Sequence, residues 1–197
     1  MSGLDVSILA NTEPAVDDER ELIERIKRDR NVFREVFDRH YGRIAEYVFR
    51  RTGDIHRTED IVSDVFLRAM QAIGRYRHNG TPLQAWLLRI ATNEINRRHR
   101  RDGVRKRAML ELAQQVQAST PRTDSNLIDA NLAGLLLRAL PTKHQEVLSL
   151  HLGCGYSIDE IAMVLGCRPG TVKSRLFRAR AALRAAAEVT DNRKSGT

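Results

Sequence analysis

Cysteine, aromatic residues and long apolar runs are all scarce in this chain, and each scarcity removes a class of answer. The two cysteines in 197 residues, Cys154 and Cys167, cannot form a disulfide framework. No His or Cys companion stands near them at zinc-ligand spacing, so both read as structural thiols. No stretch approaches the roughly 20 apolar residues of a membrane-spanning helix, and Met1 to Asn11 has neither a basic leader nor an apolar core. A soluble, cytoplasmic protein without membrane insertion is expected. Aromatics make up 5% of a chain that is 42% hydrophobic, so its apolar part is mostly aliphatic and Ala, which suits packed helices better than sheets. Carboxylate pairs, histidine clusters, nucleophile and base arrangements and phosphate-cradling glycine loops are lacking too, which argues against an enzyme, a cofactor or a small-molecule substrate.

Positive charge, by contrast, is abundant. Lys and Arg number 33 against 25 Asp and Glu, a formal net charge of +8 that favours a polyanionic partner. The arginines gather in two places: Arg97, Arg98, Arg100, Arg101, Arg105 and Arg107 in mid-chain, and Arg175, Arg178, Arg180 and Arg184 near the end. Two basic surfaces are implied.

Apolar spacing predicts helices throughout. Asp17 or Asp18 can cap a first helix with Leu22, Ile23 and Ile26 on one face. A longer one places Val32, Phe33, Val36, Phe37, Ile44, Ala45, Val48 and Phe49 inward and stops near Gly53. Thr58 is the expected cap of a third, with Ile61, Val62, Val65, Phe66, Ala69 and Ile73 buried and Gly74 at its end. Thr81-Pro82-Leu83-Gln84 combines a cap, a first-turn proline and a returning glutamine, predicting a helix through Trp86 to about Arg101. Asp102-Gly103 should interrupt it, Ala108 to Gln117 could form one more short helix, and the polar run Ser119 to Ser125 reads as a linker. Leu127 to Leu140 then forms a helix ended by Pro141. Thr142-Lys143-His144-Gln145 reads as another capping box, opening a helix with Val147, Leu148 and Leu152 inward, closed by Gly153 and Gly155.

The C-terminal segment carries the sharpest signal. Ser157-Ile158-Asp159-Glu160 is a capping box for a short helix that buries Ile158, Ile161, Ala162 and Leu165 and ends at Gly166. Pro169 starts a second helix in which Val172, Leu176, Ala179 and Leu183 recur on an inward face. Lys173, Ser174, Phe177 and Arg178 lie away from that face, with Arg180 and Arg184 beyond them. This is a helix-turn-helix, from about Tyr156 to Arg184, whose second helix offers donors to base edges and cations to phosphates.

The runs Tyr156 to Ala162 and Gly170 to Arg180 resemble the region with which bacterial sigma factors of the extracytoplasmic-function class read the −35 promoter element. Leu140-Pro141 and Gln145 to Leu148 extend the likeness upstream, Asp60 to Phe66 is similar to that family's core-polymerase-binding helix, and Trp86 to Asn93 to its −10 helix. Together the likeness covers Asp18 to Ala187. It implies −35 contacts from Lys173, Ser174, Phe177, Arg178, Arg168 and Arg175, and −10 contacts from Asn93, Arg89, Arg97, Asn79 and Thr81. It also implies docking of Asp60, Ser63, Asp64 and Phe66 on the clamp helices of the polymerase β′ subunit. Promoter DNA, core RNA polymerase and an anti-sigma factor are the implied partners. Ser63 stands where glutamine is usual in the family, Asn96 where aspartate is common, and Arg168 where a small capping residue is usual.

The residues support part of this directly. Arg89, Asn93 and Arg97 recur every four positions and so share one helix face, and Asn93 can pair with a base edge through its amide. Asp60 and Asp64 share a face likewise and would attract a basic helix. Trp86 reads as a core anchor.

The expected fold is all-α, two small helical domains joined by a flexible linker, the C-terminal one a helix-turn-helix. The expected divisions are a tail over 1–17, the polymerase and −10 domain over 18–101, a linker over 102–126, the −35 domain over 127–188 and a tail over 189–197. The competing reading is a LuxR-type regulator that binds duplex DNA without polymerase. Its usual upstream α/β domain is at odds with the strand-free pattern of Asp18 to Arg101.

Overall fold

A computed structural model describes residues 16–77, 81–115 and 132–194, which form helices and no strand among the described residues. The first four are α1 (Val16–Arg28), α2 (Phe33–Thr52), α3 (Ile55–Ala72) and α4 (Leu83–Gln115). After them come α5 (Leu132–Ala139), α6 (Thr142–Leu148), a π-helical turn (Ser149–Gly153), α7 (Ile158–Leu165) and α8 (Pro169–Lys194). The expected linker, Ser119 to Ser125, lies outside the described residues.

In the N-terminal group α2, α3 and α4 pack on one another, with α1 against the 3-10 turn after α3. The α1 stripe is buried as its spacing predicts: Leu22, Ile23 and Ile26 are all core. On α2 the buried stripe is Phe33, Val36, His40, Ile44, Tyr47, Val48 and Arg51. That register leaves Phe37 and Phe49, both expected inside, on the flanks and exposed. Phe37 instead packs its ring 4.8 Å from that of Phe66 and 5.0 Å from that of Tyr41. Gly53 ends α2 in the left-handed conformation, φ 68°, which is why a glycine stands there.

Two helix starts differ from expectation. Asp54, not Thr58, caps α3: its carboxylate accepts the Arg57 N–H at 3.0 Å, while Thr58 is buried one turn inside and donates to the Asp54 carbonyl. At α4 the Leu83 N–H donates to the buried Glu19 carboxylate at 2.9 Å. A side chain 64 residues away in sequence thus takes the role expected of the local capping box. The expected break at Asp102-Gly103 is absent. A single glycine inside a helix costs only about 1 kcal/mol, and Asp102 is anchored to α3 by Arg57 Nη1 at 3.3 Å.

In the C-terminal group α6 and α7 pack on α8. Pro141, not Thr142, occupies the cap of α6, and with neither a side-chain acceptor nor an N–H it cannot form a capping box; the Gln145 amide donates instead to the carbonyls of Arg138 and Leu140. The π turn that follows inserts an extra residue into the helical register. Leu150 is therefore buried, whereas Leu152, expected inside, is 63% exposed. Around α7 the expected capping box is formed: Ser157 Oγ accepts the Glu160 N–H and the Glu160 carboxylate accepts the Ser157 N–H at 2.7 Å.

The two groups touch through a largely polar seam in which α4 meets α7 and α2 meets α5 and the π turn. Arg51, 1% exposed, donates from Nε to Gln145 Oε1 at 3.3 Å and from Nη1 to the Tyr47 hydroxyl, itself bonded to Thr92. Asn96 Nδ2 donates to Glu146 Oε1 at 2.7 Å. Three arginines lie over glycines of the opposite group: Arg50 over Gly153, Arg138 over Gly53 and Arg89 over Gly166. A Cβ at these glycines would come within 2.5–2.9 Å of the arginine side chains.

Candidate nucleic-acid interface

The helix-turn-helix is α7, the turn at Gly166, and α8. Gly166 adopts φ 61°, allowing the chain to reverse in one residue. Val172, Leu176 and Ala179 are buried against the domain, which fixes the rotation of α8 about its axis. Lys173, Ser174, Phe177 and Arg178 consequently face outward, as does Arg168 just before the helix. Phe177 is 75% exposed, a large apolar ring held in water with no core role. Ser174 Oγ donates to the Thr171 carbonyl one turn back at 3.0 Å, which commits its hydrogen to the helix and leaves the oxygen to accept. Arg175 sits closer to the buried stripe and is half-buried, so it lies at the flank of this surface. Phe177, Lys173, Arg180 and Arg184 also line a groove of about 520 Å³ that reaches His151 on the π turn.

On α4, Arg89, Asn93 and Arg97 are exposed along one face, while Leu87, Leu88, Ala91 and Ile95 are buried on the other. Thr81 lies half-buried before the helix, its carbonyl accepting the Tyr76 hydroxyl. Asn79 lies outside the described residues. Trp86 packs on the core with its ring 5.1 Å from Tyr76, in keeping with an anchoring role.

Arg97 is not free on this stripe. Its Nη2 and Nε bond both carboxylate oxygens of Glu94, at 2.8 and 3.2 Å, and this pairing raises the guanidinium pKa further. Sequence reading passed over Glu94, although its position three residues before Arg97 and four before Arg98 is the spacing at which helix side chains meet. Of the mid-chain cations, Arg100 and Arg101 are exposed, while the side chains of Arg105 and Arg107 lie outside the described ones.

On α3, Asp60 and Ser63 are exposed and Asp64 is half-exposed, one turn apart as expected. Phe66 is only 4% exposed, so it cannot itself meet a partner. It backs Phe37 and Tyr41 of α2, which present exposed aromatic edges on the α2 side of α3, whereas Asp64 faces Arg98 on the α4 side. These two rings were not among the expected docking residues, because the stripe on α2 placed Phe37 inside and gave Tyr41 no role.

Comparison with known proteins places the chain in one family. The description "Sigma-70 region 2" matches residues 36–105, and "Sigma-70, region 4" matches residues 131–183. The ECF RNA polymerase sigma factor SigL of Mycobacterium tuberculosis is 33% identical over 156 residues, covering 78% of this chain and 87% of SigL. BldN of Streptomyces coelicolor, also an ECF RNA polymerase sigma factor, is 29% identical over 174 residues and 84% of this chain. The matched segments span 66% of BldN and 59% of the corresponding SigE of Mycolicibacterium smegmatis. Among solved structures, CnrH in complex with the cytosolic domain of CnrY aligns with a TM-score of 0.62 at 28% identity, covering 86% of this chain and 97% of that one. The sigma factor RpoE, in complex with the anti-sigma factor NepR from Bartonella quintana, shares the fold with a TM-score of 0.61 at 22% identity, over 80% of this chain and 97% of that one. With two sigma-70 regions in order and a relative matched over most of its length, this chain belongs to the sigma-70 family, within its ECF RNA polymerase sigma factors.

Proposed function

We propose that the chain binds core RNA polymerase in the bacterial cytoplasm and directs it to promoters without catalysing a reaction of its own. The observation that carries this reading is the occurrence, on one chain with no strand among its described residues, of an outward face on α8 bearing Lys173, Ser174, Phe177 and Arg178, a polar basic face on α4 and an acidic patch on α3. In this reading Lys173, Ser174, Phe177 and Arg178 meet −35 base edges in the major groove, and Arg168 and Arg175 hold phosphates. Asn93 pairs with a −10 base, while Arg89 and Arg97 track the strand, with Thr81 and Asn79 bordering an unstacked base. Asp60, Ser63 and Asp64, with Phe66 behind them, receive the β′ clamp helices.

The division into a −10 and polymerase domain over 18–101, a linker over 102–126 and a −35 domain over 127–188 is part of the proposal, with α4 running on from the first domain into the linker. An anti-sigma factor is a further expected partner, since CnrH was solved with CnrY and RpoE with NepR. A LuxR-type regulator is disfavoured by the sigma-70 region 2 match to residues 36–105, in which a duplex-only regulator would have no use for an acidic docking helix.

Promoter use also requires the chain to open. The −10 and −35 elements are about 25 base pairs apart, roughly 85 Å along B-DNA at 3.4 Å per step. Here Arg89 of the −10 face lies directly over Gly166 in the helix-turn-helix, so the two readers touch. The seam through Arg51, Gln145, Asn96 and Glu146 has to part before both elements can be engaged.

The direct test is association with sigma-free core polymerase, with and without the double substitution Asp60→Ala, Asp64→Ala. We expect the parent chain to co-migrate with core and the double variant to do so much more weakly, while keeping its binding to −35 duplex. Equal association of both with core would remove α3 as the docking surface.

A further inference from the structure

The acidic docking patch and the −10 face are joined by one chain of charges. Glu94, 3% exposed, stands at its centre. Its Oε1 receives Arg97 Nη2 at 2.8 Å and faces Arg98 Nε at 3.5 Å; its Oε2 receives Arg97 Nε at 3.2 Å and pairs with Arg68 Nε at 3.1 Å. A carboxylate offers about four lone-pair positions, so Glu94 is saturated. Arg98 is the loosest of these partners because α3 pulls it away. Its Nη2 sits 2.6 Å from Asp64 Oδ2 and 3.3 Å from the Asp60 carbonyl, and its Nη1 is 3.7 Å from Asp60 Oδ2.

We infer that Glu94 masks Arg97 in the free chain by standing where a DNA phosphate would stand, and that Arg98 couples removal of this mask to occupation of Asp60 and Asp64. When a cation of the partner takes Asp64, Arg98 loses its short bond and closes on Glu94 Oε1, the oxygen it shares with Arg97 Nη2. Arg97 is displaced and becomes available to the strand. The exchange leaves no buried charge unpaired: Glu94, 3% exposed, trades one guanidinium for another, and the Arg97 side chain, 54% exposed, passes to water as it leaves. Glu94 and Arg98 are thus positioning residues, acting on DNA only through Arg97. This inference rests on the proposed role of α4 as the −10 reader.

The test is binding of the full chain to fluorescein-labelled (dT)12, since a phosphate contact does not depend on sequence, followed from about 50 to 200 mM salt. Asp64→Asn should raise affinity at low salt severalfold, because Arg97 is then available to a phosphate. It should also steepen the log–log salt dependence by about 0.7, the increment for one added phosphate contact on a single strand. Glu94→Gln should do the same without Asp64→Asn. In an Arg98→Gln background, Asp64→Asn should have no effect on the slope. Glu59→Gln, which changes the charge equally on an exposed site of α3 outside the network, controls for net charge and should leave the slope alone. If Glu94→Gln fails to fold, the Asp64→Asn and Arg98→Gln cycle decides by itself. If Arg97→Ala weakens binding but Asp64→Asn changes nothing, or acts equally with and without Arg98, the coupling is overturned and the −10 reading stands. If Arg97→Ala is itself without effect, the −10 assignment of Arg97 fails and the coupling with it.

Discussion

The closed seam can be loosened at one atom pair. Asn96→Ala removes the donor to Glu146 Oε1 and leaves the Glu146 carboxylate, 6% exposed, without that hydrogen bond as long as the two halves stay together. In the open chain water solvates the same carboxylate, so the loss falls on the closed form alone. Stranding a buried polar acceptor costs about 1–3 kcal/mol, which multiplies the opening constant roughly 5- to 150-fold. Cys154 reports this opening. It lies at the end of the π turn beside Glu46, Arg50 and Arg43 of α2, and burial pushes its thiol up to about 11, so at pH 8 the closed chain holds it as an unreactive thiol. In a Cys167→Ser background, iodoacetamide alkylation of Cys154 in the closed chain should be slow and should accelerate by the same 5- to 150-fold with Asn96→Ala. Apparent affinity of the core-bound chain for a promoter fragment carrying both elements should rise in parallel, because a closed majority lowers apparent affinity by the open fraction. Unchanged alkylation in Asn96→Ala would refute the view that this bond holds the seam. Faster alkylation without tighter promoter binding would refute the view that the seam parts before both elements are engaged.

Two other outcomes are expected. Arg178→Ala should weaken −35 duplex binding by about 1–3 kcal/mol and relax base preference; an equal loss on every sequence, read by competition with mixed duplexes, would reassign Arg178 to a phosphate. His40 is buried on α2 with Nε2 unbonded, and burial, with Arg39 and Arg43 nearby, lowers its pKa from 6.5 to about 4. Between those values the unfolded chain holds a proton that the folded chain does not, so the contribution of a neutral His40 is complete above about pH 6.5. It is lost as pH falls toward 4, by about 3 kcal/mol in all. His40→Leu should therefore lose less stability than the parent between pH 7.5 and 4.5 in urea unfolding; a constant difference would contradict this.

What the sequence disclosed follows from how local each signal is. The α7 box and the Gly166 turn are legible because Ser157, Glu160 and Gly166 act within a few residues of their partners. The outward face of α8 is legible because Val172, Leu176 and Ala179 fix the helix rotation by periodicity alone. Signals failed where a distant partner intervened. Glu19 of α1 took the place of the capping box at Thr81, and with Pro141 as the cap of α6 Gln145 serves the carbonyls of Arg138 and Leu140 and accepts from Arg51. The π turn moved Leu152 outward, a register change that no 3.6-residue period foretells. The polar stripe of Arg89, Asn93 and Arg97 was visible as a stripe, but the engagement of Arg97 depends on Glu94, Arg68 and Arg98 meeting across α3 and α4. The seam between the halves was invisible because each of its residues reads as an ordinary polar surface position until the fold brings Asn96 to Glu146 and Arg51 to Gln145.

The central claim is that this chain directs polymerase to promoters. Purified chain should be mixed with sigma-free core RNA polymerase and genomic DNA fragments, and transcript starts mapped. The account predicts discrete starts that depend on the chain, share sequence about 10 and 35 base pairs upstream, and disappear with Asp60→Ala, Asp64→Ala. No chain-dependent starts across the fragments, together with a dimeric footprint on duplex DNA in the absence of polymerase, would contradict it.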